Sequence, residues 1–190
     1  MNQPYDPAQQ TEENEDWGSD DRLGRELWEW LKAILFAVGI ALVIRLVLFT
    51  PIVVDGESML PSLKDGERLI VNKAIYLIKE PKRGEIVVFH AAQGKDWIKR
   101  VIGEPGDMIE VNNGQLYING ERVEEPYLDE SYGYIMEDFR VEVPQHQLFV
   151  MGDNRANSRD SRNIGTIPIE SVVGRAELVF WPIGDIRLVD

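Results

Sequence analysis

Residues 27–54 read LWEWLKAILFAVGIALVIRLVLFTPIVV, and the change of character inside this stretch decides the fold. Ala33 to Ile44 is uninterrupted apolar sequence, and Leu46 to Phe49 carries the run past Arg45. A helix from Trp28 to Phe49 would be about 33 Å long at about 1.5 Å per residue, against a hydrocarbon core of about 30 Å. Trp28 and Trp30 stand at one end, as interfacial aromatics do, and Lys32 and Arg45 lie near enough to the ends to snorkel. We read residues 27–49 as one transmembrane anchor, ended by Pro51. A cleaved leader would start earlier and be followed by a small-x-small site; a buried core helix is the other alternative. Arg22, Arg25 and Lys32 precede the run and Lys64 and Arg68 follow it at a distance, a small difference by which the positive-inside rule favours a cytoplasmic N-terminus and an extracytoplasmic C-terminal part.

Upstream, residues 1–26 hold eight acids and two bases and few aliphatic residues, the composition of an acidic flexible tail. Downstream the pattern turns to β. Short alternating or β-branched runs recur at 67–72, 85–90, 97–102, 107–111, 115–118, 147–151 and 178–181. Asn113-Gly114 and Asn119-Gly120 are tight-turn signals, the first between two of these runs. Residues 50–190 therefore read as one mainly β domain, with a variable acidic excursion around 121–142. Helical candidates are few and short, at 62–64 and 72–79.

Composition narrows the chemistry. The chain of 190 residues has no cysteine and two histidines, which excludes disulfides and thiolate chemistry and argues against a histidine-rich metal site. A net charge of -13 argues against a nucleic-acid partner. Residues 51–100 run the other way, with nine bases and seven acids.

Three short stretches have the residues for nucleophilic catalysis. In Gly56-Glu57-Ser58-Met59-Leu60-Pro61, Gly56 suits a tight turn that presents Ser58; a structural serine is the plain alternative. A serine nucleophile needs a base. His90 has no orienting carboxylate at a recognisable spacing. In Trp97-Ile98-Lys99-Arg100-Val101-Ile102, strand alternation puts Lys99 on one face between Trp97 and Val101, where desolvation would lower its pKa. The opposing reading is an edge-strand lysine pointing to water. The third stretch, Gly152 to Arg162, follows an apolar strand. It is rich enough in Asp, Arg, Asn and Ser either to brace itself and serve a neighbouring site or to be a solvated loop.

With these elements in this order behind one anchor, the chain resembles the bacterial type I signal peptidases of the short, single-anchor form. The likeness spans residues 27–190. It is carried by 58–63 (SMLPSL), 66–73 (GERLIVNK), 99–107 (KRVIGEPGD) and the loop 152–162. It implies a signal-peptidase-like β domain and a membrane-bound serine endopeptidase. This would remove signal peptides from exported preproteins at the outer face of the cytoplasmic membrane. The resemblance makes Ser58 the nucleophile and Lys99 the general base, with Ser158 orienting the lysine amine. It makes Arg100 and Asp153 a structural ion pair, and Asp160 and Arg162 a brace of the same loop. The oxyanion donor would be the Ser58 N–H. Some members add a hydroxyl from the residue two before the nucleophile; here that residue is Gly56, which offers only backbone. Ala156 also stands where an acidic residue is often found. The implied partners are signal-peptide-bearing preproteins and the lipid bilayer, with no metal and no organic cofactor. The rivals are a self-cleaving Ser-Lys repressor, which would need a DNA-binding domain, and a membrane-tethered β module that binds exported chains without cutting them.

Overall fold

The computed structural model describes residues 20–91, 94–129 and 136–189; the side chains of residues 20–23, 44, 46 and 47 also lie outside that description. The chain divides into two compact units, residues 1–46 and 47–190.

The first unit is helical. Helix α1 runs from Asp20 to Leu48, longer at its start than the hydropathy suggests. Residues 1–19 of the expected acidic tail lie outside the described residues, but Asp20 to Glu26 are helical, a correction to the flexible tail read there. Arg25 and Glu26 are good helix formers, in keeping with a helix that starts upstream of the apolar run. Apolar side chains are exposed all round the helix, among them Leu27, Trp28, Ile34, Phe36, Ile40 and Val43. Among the described residues, no helix is long and apolar enough to cross a membrane.

The second unit is mainly β. Its strands are β1 (Phe49–Val53), β2 (Arg68–Asn72), β3 (Ile86–His90), β4 (Asp96–Gly103), β5 (Met108–Asn112) and β6 (Gln115–Ile118). They continue as β7 (Glu121–Arg122), β8 (Phe139–Glu142), β9 (Gln147–Met151), β10 (Ile167–Pro168), β11 (Val172–Trp181) and β12 (Arg187–Leu188). Eight form a sheet in the order β1-β2-β11-β3-β4-β9-β10, with β12 on β11; four form a second sheet in the order β7-β6-β5-β8. Every pairing is antiparallel.

Pro51 does not end the helix, as expected from sequence, but lies inside β1. The chain leaves α1 at Leu48 and is extended from Phe49, pairing Pro51 with Ile70. A strand tolerates proline at a sheet edge, and β1 is an edge.

The apolar run Ile86-Val87-Val88-Phe89 makes β3 a central strand, buried on both faces. Ile86 and Val88 pack with Val54, Met59, Leu63, Leu69, Val71, Ala176 and Val179. Val87 and Phe89 pack on the other face with Val101, Leu148, Val150 and Ile167. A third cluster, including Ile109, Val111, Leu116, Ile118 and Val143, fills the small sheet and takes in Ile102, Phe149 and Met151 from the larger one. Both turn signals hold. Asn113 and Gly114 have φ of 50° and 72° between the paired ends Asn112 and Gln115, as a two-residue hairpin of the primed type requires. Asn119 and Gly120 do the same between β6 and β7.

The segment expected as an exposed excursion is partly built into the fold. Its strand β8 pairs with β5, and Met136 is buried in the core of the small sheet.

Gly174 of β11 lies tight against the end of β2. A Cβ there would lie 2.6 Å from the Asn72 carbonyl oxygen and 2.8 Å from Val71 Cγ1. Gly174→Ala is expected to cost about 1–3 kcal/mol, as overpacking does, read as a lower urea midpoint at unchanged m.

Candidate active site

Ser58 sits in the turn between β1 and β2. The turn is anchored on each side of the serine. Val54 donates its N–H to Glu67 O at 2.8 Å, and Leu63 donates to Met59 O at 2.8 Å. Met59 and Leu63 are buried in the core. Gly56 has φ of +96°, a conformation that favours glycine, and its N–H donates to Asp65 Oδ1 at 2.8 Å.

Lys99 is on β4, at the last residue before that strand meets β9, and its side chain is buried, which removes the reading of a lysine pointing to water. It is 5% exposed. Its Nζ lies 2.8 Å from Ser58 Oγ and 2.8 Å from the Ile98 carbonyl, and 5.7 Å from the centre of the Trp97 ring. Burial pushes the amine down to about 8, against the opposing pull of the Asp160 and Asp153 carboxylates. Ser58 and Lys99 share a cleft of about 340 Å³ with Ile52, Val53, Asp55, Trp97 and Arg159. A cavity of about 790 Å³ lies between β8 and the loop after β9; it takes in Ser158 but neither Ser58 nor Lys99.

Arg100, the next residue, is 2% exposed. Its guanidinium donates to both Asp153 oxygens, at 3.0 and 2.8 Å, to Gly84 O at 2.7 Å and to Ser62 Oγ at 3.3 Å. The Tyr127 ring stacks on it at 3.9 Å.

The loop from Gly152 to Arg162 is a braced platform rather than a solvated loop. Asp160 accepts from the Gly152 N–H at 2.9 Å and from the Arg162 Nε and Nη2 at 2.8 Å each. Burial opposes the Asp160 charge, but Arg162 outweighs it and holds the carboxyl below its ordinary range. Asp160 also caps the short helix α2 (Ser161–Ile164). Asn154 sews the loop to the serine turn: its N–H donates to Ser58 O at 3.0 Å and its Nδ2 to Glu57 O at 3.1 Å. Gly152 passes so close to Ser158 and to the Ser58 carbonyl that a Cβ would collide with both.

Arg100 with Asp153 and Asp160 with Arg162 are thus paired as expected. Ser158 is not hydrogen-bonded to Lys99: its hydroxyl is buried without a hydrogen bond, although it lies near enough to Asp160 to favour the ionised carboxyl. Ala156 is exposed. His90 does find a carboxylate, Asp96 Oδ1 at 2.6 Å across the β3–β4 hairpin, but this pair is exposed at the hairpin end. The sequence reading missed Asn154 and a buried ion pair from Arg155 to Glu125. Only the crowding of Asp, Asn and Arg after β9 hinted at either. Among the described residues no acidic or histidine cluster has the makings of a metal site.

A β domain that brings a serine hydroxyl against a desolvated lysine amine has the means for acyl transfer without histidine. Residues 27–181 match the family described as signal peptidase, peptidase S26. The chain is 46% identical over 176 residues to signal peptidase I of Bacillus amyloliquefaciens, covering 87% of this chain and 91% of the relative. It is 45% identical over 175 residues to signal peptidase I S of Bacillus subtilis strain 168, covering 86% and 94%. A crystal structure of a signal peptidase I from Enterococcus faecalis is 35% identical, covers 52% of this chain and 97% of that one, and has a TM-score of 0.47. The chain belongs to the signal peptidase family, peptidase S26.

Removing Asp153 leaves Arg100 in the interior without its carboxylate. Asp153→Ala is expected to lower stability by about 3–5 kcal/mol, the cost of breaking a buried pair from one side. Asp160→Ala should cost less, because Arg162 is 16% exposed. Urea denaturation of the two variants checks the order.

Proposed function

We propose that this chain is a serine endopeptidase that cleaves signal peptides from preproteins, with Ser58 as nucleophile and Lys99 as general base. The observation that carries the roles is the 2.8 Å contact between Ser58 Oγ and a buried amine whose pKa is lowered to about 8. In the neutral form, Nζ accepts the Ser58 proton as Oγ attacks the scissile carbonyl. The resulting ammonium then protonates the leaving amine. A water attacks the acyl-enzyme, gives its proton to Nζ, and releases the acid with Ser58 reprotonated. The Ser58 N–H, which meets no protein acceptor among the described residues, is the donor to the oxyanion. Arg100 with Asp153, and Asp160 with Arg162, hold the strand and loop that place the dyad. Ser158 has its hydroxyl free to turn toward the amine once that amine is charged.

The substrate binds extended in the cleft. One wall is the free edge of β1; the other is Asp96 to Lys99 of β4, which pairs with β3 but meets β9 only from Arg100 onward. An added strand satisfies both edges. Small residues at the first and third positions before the cut fit a cleft of about 340 Å³ shared with the dyad.

We place residues 27–49 in the bilayer as a single anchor, after a tail over 1–26 and before the catalytic domain over 50–190. The N-terminus is cytoplasmic and the domain extracytoplasmic. Support comes from the uninterrupted apolar sequence from Ala33 to Ile44 and from the exposed apolar surface of α1. Tethering enzyme and substrate in one membrane raises their effective concentration.

The test is incubation of the purified protein with a preprotein and identification of the new N-terminus. Ser58→Ala and Lys99→Ala should each abolish processing, His90→Ala should retain most of it, and Ser158→Ala should lose less than either dyad variant. A β module that only binds would produce no new N-terminus.

The rate should follow the neutral amine. Below about pH 8, kcat/KM should fall tenfold per pH unit as Lys99 takes up its proton. Lys99→Arg should be inactive, because a guanidinium stays charged. Stability carries the same proton. Between about 8 and about 10.4 the unfolded chain holds a proton on Lys99 that the folded chain lacks, so stability rises with pH across that window. Lys99→Met should remove that slope and be at least as stable as the parent at pH 7, measured by melting across pH.

A further inference from the structure

Arg155 and Arg162, in the loop beside Lys99, are both spent on carboxylates, Glu125 and Asp160. Arg159 is different. It is exposed, and among the described residues it has no ion pair. Its guanidinium lies 6.0 Å from the centre of the Trp97 ring, and its side chain lines the cleft that holds Ser58 and Lys99. It also borders a neighbouring cavity of about 340 Å³ lined by Phe89, His90, Ile164 and Ile167.

We infer that Arg159 is a specificity-determining residue, which favours substrates with an acidic side chain close to the scissile bond; this rests on the endopeptidase reading above. An aromatic face uses the cation of a guanidinium but not its N–H donors, which lie in the guanidinium plane and remain for a carboxylate. A carboxylate is the group that meets that fork with two parallel bonds. The platform is rigid: Asp160, the next residue, is fully buried and bonded to Gly152 and Arg162. The other charges on the cleft do not cancel the cation. Asp96 is engaged by His90, Lys95 is a second cation, and Asp55, on the β1 side, is no ion-pair partner of Arg159. Trp97 precedes Lys99 by two residues, about 7 Å along an extended strand. The side chain that Arg159 meets therefore belongs to a residue within about two positions of the cut.

The experiment uses the full-length protein in detergent and internally quenched peptides that differ only in Glu or Gln. The pair is placed in turn at the fourth and second positions before the cut and at the first three after it, with small residues kept at the first and third before it. The ratio of kcat/KM for Glu over Gln is measured for the parent, Arg159→Gln and Arg159→Glu, each checked by its melting curve. The parent should favour Glu about two- to fivefold at one or two positions near the cut, the range of an exposed ion pair, and lose the preference in high salt. Arg159→Gln should erase the preference at those positions alone, and Arg159→Glu should turn it against Glu. Equal ratios in all three proteins at every position, with cleavage intact, would overturn the role of Arg159 and leave the endopeptidase standing. A parent that cleaves none of the peptides would overturn both.

Discussion

Two cations stand next to each other on β4, and the protein treats them in opposite ways. Arg100 is buried with its charge answered: two bonds to Asp153, further bonds to Gly84 and Ser62, and the Tyr127 ring against its plane. Lys99 is nearly as buried, and the oxygens that meet its amine are a hydroxyl and a carbonyl. A guanidinium cannot shed its proton, so it has to be paired; an amine can, so burial moves its pKa instead. The site depends on this division. Had a carboxylate been placed on Lys99 as Asp153 is on Arg100, the amine would stay charged and the hydroxyl would have no base.

The paired cation also assembles what surrounds the dyad. Through Arg100, β4 is fixed to the loop after β9, to the turn before β3 and to the serine turn. Asn154 closes the circuit from the loop back to Glu57 and Ser58. Arg155 reaches out to Glu125, and Tyr127 reaches in to Arg100, so the acidic segment after β7 grips the loop from outside. Both carboxylates that raise the Lys99 pKa, Asp160 and Asp153, already belong to arginines. Their pull is therefore muted, and burial prevails.

Local physics made part of this legible. Strand β3 announced itself as an apolar run, and Asn113-Gly114 named its own turn, because such signals need no distant partner. The alternation around Lys99 put the amine between Trp97 and Val101, and the structure places it 5.7 Å from the centre of the Trp97 ring. What escaped is what depends on residues far along the chain. β11 starts at Val172, six residues before the run read at 178–181, and that added part carries Gly174, Arg175 and Glu177; Arg175 and Glu177 pair with each other, and Arg175 with Glu85, 90 residues away. Glu125 looked like one more solvated acid until Arg155 came to it. Pro51 looked like a helix stop because sequence does not say which strands will be edges. The hydrogen bond expected from Ser158 to the amine came from the family resemblance and from no spacing in this chain, and the structure leaves that hydroxyl without one.

The two cations on β4 also impose a rule of parity. Side chains alternate along a strand, so a slip of one residue exchanges its two faces. β4 is pinned at both ends. At one end Asp96 is opposite His90 in the hairpin; at the other, Gly103 lies so close to Ile109 and Val143 that no Cβ fits. Inserting or deleting one residue between Asp96 and Lys99, with Asp96 held in register opposite His90, would turn the guanidinium toward the serine and the amine toward Asp153. Such a chain would keep its composition, its hydropathy and nearly all of its contacts, and would still be inert. Evolution can vary the length of the hairpin before Asp96 with little consequence. Between Asp96 and Arg100, where the pairing with β3 is unbroken, it can count only in twos; past Val101 a bulge against β9 already takes up one residue.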